Sequence, residues 1–107
     1  MINLERERDI EKWLLDKLIA RKCLFLKWVC PGNDGVPDRI LIMPGGKICF
    51  VELKTETGHM TGLQMFWQAR LRDMGCGAIT IYGMKDAEEL IEVVDCITGR
   101  AKGAVPQ

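Results

Sequence analysis

The sequence predicts an α/β domain in which helices flank a mixed β-sheet. Apolar residues recur at helical spacing near both ends of the chain and once in its middle, and runs rich in β-branched and aromatic residues lie between them. Glycine-rich turns separate several of these runs. The predicted order of elements is α-β-β-β-α-β-α, which allows helices to cover the faces of one sheet.

Length and composition favour a single domain. The chain has 107 residues, of which 48% are hydrophobic and 28% are charged, so it can build one core. We expect one domain over residues 1–98 and a flexible tail over residues 99–107, where glycine, lysine and proline occur. The 15 basic and 15 acidic residues cancel, so DNA binding would require basic groups localised on one surface.

Cysteine and histidine usage argues against a zinc or thiol enzyme. The five cysteines are scattered without a CxxC pair, and His59 is the single histidine. The sequence shows no signal peptide and no apolar run near the ~20 residues that span a bilayer. We therefore expect a cytoplasmic protein with no membrane partner, located in a bacterium or, if a phage encodes it, in the cytoplasm of the host.

The first half of the chain predicts one helix and three strands. LERERDIEKWLLDKLIARK is amphipathic, with Leu4, Ile10, Leu14 and Leu18 at near-helical spacing. CLFLKWVC predicts a strand, and the loop PGNDG follows it. DRILIM and KICFVELK predict two strands joined by PGG into a hairpin, because glycine adopts the positive φ of tight turns. Apolar residues at both parities of these two strands predict that both of their faces are covered.

Two capping boxes predict where the later helices begin. Thr61 and Gln64 place one start near Gly62, and Asp86 and Glu89 open the last helix. AITIY predicts a strand between the two helices. The predicted apolar stripe of the middle helix consists of Leu63, Trp67, Leu71 and Met74.

The charged end of the strand ICFVELK is the candidate chemical site. Glu52 and Lys54 share one strand face, because residues i and i+2 point to the same side. The hairpin should return this end of the strand to Asp38, so the two carboxylates should meet at one edge. A divalent metal would relieve their repulsion, and the Leu53 carbonyl could add an oxygen ligand. A solvent-facing strand end is the plainer alternative for an acid and a lysine at this spacing.

GVPDRI followed by FVELK resembles the signature of PD-(D/E)XK nucleases, and more narrowly that of the VRR-NUC branch with its small stand-alone phage and bacterial members. The resemblance implies a restriction-endonuclease-like core and Mg²⁺- or Mn²⁺-dependent hydrolysis of DNA phosphodiesters. It implies that Asp38 and Glu52 are metal ligands, that Leu53 lends its carbonyl, and that Lys54 is the catalytic lysine.

The resemblance also implies functional residues on two helices. The family's acid on the first helix, implied to be catalytic and a further metal ligand, matches Glu7, and Glu11, one turn further along the same helix face, is its rival. The family's glutamine after the lysine strand matches Gln64, which could equally serve as a helix cap. Trp13 and Trp67 fit the core better than a base-stacking surface. The candidate DNA contacts are Arg39, Lys12, Lys17 and Lys27.

The leading functional hypothesis is a structure-selective DNA endonuclease that resolves Holliday junctions as a homodimer. The dimer follows from the resemblance, since two sites related by a twofold axis suit a four-way junction. The alternatives are a flap or nicking nuclease, the nuclease subunit of a larger complex, and a non-catalytic DNA-binding module on the same fold.

Overall fold

A computed structural model describes residues 6–100 of the chain. The elements in chain order are α1 (Glu7–Ala20), β1 (Leu24–Lys27), β2 (Arg39–Ile42), β3 (Ile48–Lys54), α2 (Gly62–Asp73), β4 (Gly77–Tyr82) and α3 (Gly83–Ile97). This confirms the predicted order of helices and strands. Within the described residues, no helix is long and apolar enough to cross a membrane. The predicted tail lies outside the described residues beyond Arg100.

The strands form one mixed sheet in the order β1-β2-β3-β4. The first three strands pair antiparallel, and β4 runs parallel to β3. A parallel pair needs a crossover connection, which α2 supplies. The predicted glycine turn joins β2 to β3, with φ of +96° at Gly45 and +87° at Gly46. The Met43 N–H closes this turn on the Lys47 carbonyl at 2.8 Å.

Helices α1 and α3 pack over one face of the sheet and enclose the core. Burying each large apolar side chain there contributes about 1.5–3 kcal/mol relative to leaving it exposed. The predicted stripe of α1 is buried at Ile10, Leu14 and Leu18, with Trp13 packed beside it, and its first residue, Leu4, lies outside the described residues. The sheet contributes Phe25, Leu41, Val51, Leu53 and Ile81, and α3 contributes Ala87, Leu90, Ile91 and Val94.

Helix α2 lies on the opposite face, above β4, and its buried side is not the predicted one. Gln68 is its buried residue, and the Gln68 Nε2 donates to Thr80 Oγ1 at 2.7 Å. Leu63 is 55% exposed and Met74 is 70% exposed, so the predicted apolar stripe is wrong at both ends. The helix is rotated so that two glutamines, Gln64 and Gln68, face the sheet.

Because α2 covers β4, the other strands remain open on this face. The antiparallel and parallel registers place Leu24, Leu26, Ile40, Ile42, Ile48 and Phe50 on the same side. Ile48 is 51% exposed, and the neighbouring side chains are exposed or half-buried. The expectation that both faces of the hairpin strands are covered is therefore wrong here. We call these six residues the open apolar face.

Helix α3 begins earlier than its predicted capping box. It starts at Gly83, directly after β4. Gly83 has a φ of +76°, and a Cβ there would lie 3.0 Å from the Glu56 Cβ, so the sharp strand-to-helix turn requires glycine. Asp86 Oδ2 accepts a hydrogen bond from the Tyr82 N–H at 2.8 Å. Asp86 therefore satisfies the backbone before the helix from a position inside its first turn.

Candidate active site

Asp38 lies opposite Glu52 at the edge of the sheet. The last ladder pair of β2 and β3 is Arg39 with Val51, and one further antiparallel step aligns Asp38 with Glu52. Asp38 Oδ2 accepts a 3.1 Å hydrogen bond from the Leu53 N–H. Its carbonyl accepts a 2.9 Å bond from the Trp28 N–H, just beyond β1. Two neighbouring segments therefore fix Asp38, and the predicted meeting of the two carboxylates is present.

Glu52 is a buried acid with an unsatisfied oxygen. The residue is 3% exposed, and Gln64 Nε2 donates to its Oε2 at 3.4 Å. Its Oε1 has no hydrogen-bond partner among the described residues. Burial, then hydrogen bonding to Asp38 and the charge of Asp38, raise the pKa of Glu52 to about 8, while the charge of Lys54 opposes the rise. Without a cation, this site therefore holds a proton at neutral pH.

These donors fit a hard divalent cation. A cation beside Glu52 and Asp38 would neutralise their repulsion and give the orphaned Glu52 oxygen a partner. Within residues 6–100, no three His, Cys, Asp or Glu side chains converge on one candidate metal position. The side chains that could hold a cation there would therefore be the two carboxylates, and the predicted further ligand Glu7 does not form a third. Mg²⁺ commonly uses one or two carboxylates in this way.

The two rival acids of α1 have different surroundings. Burial raises the pKa of Glu7, the charge of Asp38 adds to the rise, and the charge of Lys54 lowers it. Glu7 therefore lies within the electrostatic field of the site. Glu11 instead accepts a 3.0 Å bond from Arg39 Nε. Both acids line the cleft that contains Asp38, and among the described residues Glu11, not Glu7, has an ion pair.

Arg39 is a buried structural charge, and its predicted contact with DNA is wrong. The residue is 7% exposed. Besides its bond to Glu11, its Nη1 donates to the Phe25 carbonyl at 2.7 Å. Successive strand residues point to opposite faces, so Arg39 turns into the core side. Its Nε and Nη1 groups are thus bonded inside the protein, and its burial leaves little of the guanidinium for a phosphate.

The predicted lysines differ in their distance from the site. Lys27 lines an open polar cleft of about 310 Å³ together with Glu7, Glu11, Trp28, Val29 and Asp38. Lys12 bonds both oxygens of Asp16, at 2.7 and 2.8 Å, and Lys17 lies 5.6 Å from the Trp13 ring centre. The cleft therefore contains Lys27 alone of these three lysines.

Gln64 forms the helix cap considered for it and also contacts Glu52. Its Oε1 accepts from the Thr61 N–H at 2.9 Å, and its N–H donates to Thr61 Oγ1 at 3.1 Å. This is the predicted capping box. The cap fixes the side chain so that its Nε2 reaches Glu52. Sequence reasoning missed Trp28. Its backbone N–H donates to the Asp38 carbonyl, and its ring centre lies 4.9 Å from that of Phe50. Nothing in its position just after a strand indicates this role.

Comparison with known proteins agrees with this architecture. No family model matches the chain. The chain is 34% identical over 96 residues to a protein described as "Putative nuclease p44" from Acyrthosiphon pisum secondary endosymbiont phage 1, across 90% of this chain and 99% of that protein. A solved structure described as "VRR_NUC domain" matches with a TM-score of 0.76 and 30% identity, over 80% of this chain and 94% of that one.

The fold and the carboxylate edge thus define a small α/β nuclease-type domain. More narrowly, the chain belongs to the VRR-NUC family.

Proposed function

We propose that this protein is a metal-dependent endonuclease that hydrolyses DNA phosphodiester bonds. The observation that carries the proposal is the buried Glu52, with one oxygen unsatisfied and the Asp38 carboxyl beside it. Burying such a pair is costly unless a proton or a cation neutralises its charge. Asp38, Glu52 and the Leu53 carbonyl would hold Mg²⁺ or Mn²⁺, which when bound stabilises charge on the phosphate and lowers the pKa of a water.

Four further residues of the chain have proposed roles in orienting water, holding Glu52 and binding phosphate. Lys54 lies on the same strand face as Glu52 and is half-buried, so it can orient the attacking water and stabilise negative charge on the phosphate. Gln64 holds the Glu52 carboxylate through Nε2. Glu7 faces the pair from α1 and can accept a hydrogen bond from a water at the rim. Lys27 supplies a phosphate contact in the adjacent cleft.

The proposed substrate is branched DNA, with the four-way junction as the preferred form, cut by a homodimer. The open apolar face supports self-association, because contiguous exposed apolar surface marks interaction sites. None of its six side chains is charged, so two copies can meet there without repulsion. A twofold axis would then present two active sites to a junction of near-twofold symmetry.

The same face also favours a second candidate, the nuclease subunit of a larger complex. A different subunit could cover the open apolar face in place of a second copy. This candidate and a flap or nicking enzyme use the same carboxylate chemistry and differ in partner and substrate. A non-catalytic DNA-binding module would have no use for a buried acid pair with a lysine beside it.

Substrate profiling tests the proposal. Labelled four-way junction, flap and plain duplex are incubated with the protein and Mg²⁺ or Mn²⁺. Paired symmetric cuts across the junction are expected, and preferential cutting of the flap would favour the flap enzyme. Glu92→Ala, at an exposed acid on α3, is the matched control for Glu52→Ala. Failure to cut any of the DNAs with either metal would contradict the proposed nuclease.

A further inference from the structure

The loop that precedes Asp38 is seated on the first two turns of α2. Asp34 and Gly35 are the contact residues of the loop, and Leu63 and Trp67 those of the helix. The Trp67 Nε1 donates to the Asp34 carbonyl at 3.0 Å. We call these four residues the loop clamp.

Gly35 approaches α2 more closely than any other residue type could. Its φ is +92°, and a Cβ built there would lie 2.6 Å from the Leu63 Cβ and 2.7 Å from the Leu63 carbonyl carbon. Real Cβ atoms do not approach so closely, and both atoms belong to or adjoin the helix backbone. An added methyl group must therefore displace the loop from the helix.

The loop clamp is close to Asp38 along a stiff stretch of chain. Only Val36 and Pro37 separate Gly35 from Asp38, so the two are joined by about three residue lengths of chain. Pro37 is buried, and its ring fixes its φ. A short stretch of this kind can transmit a displacement of Gly35 to Asp38.

The helix turn that forms part of the loop clamp also contacts Glu52. The nitrogen of Gln64 would lie 3.0 Å from a Cβ at Gly35, and the side chain of Gln64 contacts Glu52. One helix turn thus supports the loop that carries Asp38 and also holds Glu52. The first turn of α2 therefore contacts both the loop that leads to Asp38 and the side chain of Glu52.

We infer that Gly35 and Trp67 are positioning residues that set Asp38 against Glu52 by locking the Asp38 loop onto α2. The inference deepens the proposed function and rests on it only for its catalytic consequence. The contact between the loop and α2, and its effect on the position of Asp38, can be tested in the metal-free protein. The Leu53 N–H, which donates to Asp38 Oδ2, reports directly on where Asp38 lies.

The chain provides a matched control for Gly35 in the same loop. Gly32 has a φ of +85°, and a Cβ there would meet nothing within 4 Å. Gly32→Ala and Gly35→Ala therefore impose similar backbone strain, and only Gly35→Ala also breaks the contact with α2. Trp67→Phe removes the indole donor and keeps an aromatic ring, so it tests the other half of the loop clamp.

The experiment is hydrogen exchange of the Leu53 amide by NMR in the metal-free protein, followed by Mn²⁺ titration without DNA. We expect Gly35→Ala to speed exchange at Leu53 at least about tenfold relative to Gly32→Ala, and Trp67→Phe to speed it about threefold or more. Mn²⁺ binding should weaken in the same order, as when an outer-shell partner of a metal ligand is lost. Equal exchange in both alanine variants, with Trp67→Phe unchanged, would overturn the loop clamp.

The two readouts separate the inference from the proposed function. If the wild type binds no Mn²⁺ but Leu53 exchange still responds selectively to Gly35→Ala, the loop clamp stands and the metal-dependent nuclease fails. If the wild type binds Mn²⁺ and neither Gly35→Ala nor Trp67→Phe differs from Gly32→Ala, the nuclease proposal survives and the loop clamp fails. Global unfolding of Gly35→Ala would be recognised by its spectrum, and Trp67→Phe then decides the inference.

Discussion

The Leu53 N–H donates a 3.1 Å hydrogen bond to Asp38 Oδ2. This bond holds the Asp38 carboxylate to the strand whose preceding residue is Glu52. Burial first, and then the neighbouring Asp38 carboxyl that this bond keeps in place, raise the pKa of Glu52 to about 8. The two carboxylates of the proposed metal site are thus already adjacent in the metal-free protein.

The first prediction concerns the pH dependence of stability without metal. The pKa of Glu52 lies near 4.5 in the unfolded chain and is raised to about 8 in the folded protein, so the folded state binds the proton more tightly. This contribution to stability is fully present below about pH 4.5 and is lost as the pH rises to about 8. In EDTA, the melting temperature of Glu52→Gln minus that of wild type should therefore increase from pH 5 to pH 8.

Added metal should stabilise wild type relative to Glu52→Gln at pH 8, the opposite of the difference expected in EDTA. Mg²⁺ or Mn²⁺ binds the ionised carboxylates, so it should raise the melting temperature of wild type at pH 8 and leave that of Glu52→Gln nearly unchanged. A melting-temperature difference in EDTA that does not vary with pH would contradict the raised pKa of Glu52. Equal stabilisation of both proteins by metal would contradict the assignment of Glu52 as a ligand.

Replacing the two acids of α1, Glu7 and Glu11, should have different effects on cleavage rate and stability. Glu7→Gln should slow DNA cleavage by about 10- to 100-fold, as expected for a group that supports a metal site, with little change in urea stability. Glu11→Gln should leave the buried Arg39 without its charged partner and cost about 1–3 kcal/mol of stability. Urea unfolding and single-turnover cleavage of both variants check this. The reverse pattern would make Glu11 the functional acid.

Self-association through the open apolar face can be tested with one charge. Leu26→Lys places an ammonium on that face, at its β1 edge, and should shift a dimer towards monomer at micromolar concentration. Ile19→Lys, at an exposed position on α1, is the matched control. Analytical ultracentrifugation over a concentration series gives the result. A wild-type dimer unaffected by Leu26→Lys would move the interface elsewhere, and a monomeric wild type would contradict the homodimer.

A substitution at the C-terminal end of α1 should increase the stability of the protein. Lys22 has a φ of +62° at the position after the helix where glycine is usual, and its N–H bonds the Ile19 carbonyl at 2.9 Å. Lys22→Gly should stabilise the protein by about 0.5–1 kcal/mol, because it removes strain at positive φ. Lys22→Ala keeps the strain and is the control. A urea midpoint that does not rise for glycine relative to alanine would contradict this reading of the helix end.

Local rules explain what could be predicted from the sequence. The hairpin and the two-residue alternation of strands were enough to bring Asp38 to Glu52 and to put Lys54 on the same face. The capping box placed Gln64 at the start of α2. Each of these follows from neighbours within a few residues or across one tight turn.

Tertiary packing decided the rest. The burial of Arg39 depends on Glu11 and the Phe25 carbonyl, which are distant in the sequence. The rotation of α2 follows from the bond between Gln68 and Thr80, a polar contact that an apolar pattern does not record. The contact of Gly35 with Leu63 joins a loop to a helix and likewise has no local signal.

The most direct test of the central claim is single-turnover cleavage of a labelled four-way junction by wild type, Glu52→Gln and the control Glu92→Gln, with Mg²⁺ and with EDTA. The carboxylate-pair mechanism predicts that wild type and Glu92→Gln cut only with Mg²⁺, and that Glu52→Gln cuts at least about a thousandfold more slowly, comparable with loss of a central catalytic group. Cleavage by Glu52→Gln at the wild-type rate, or equal cleavage in EDTA, would contradict it.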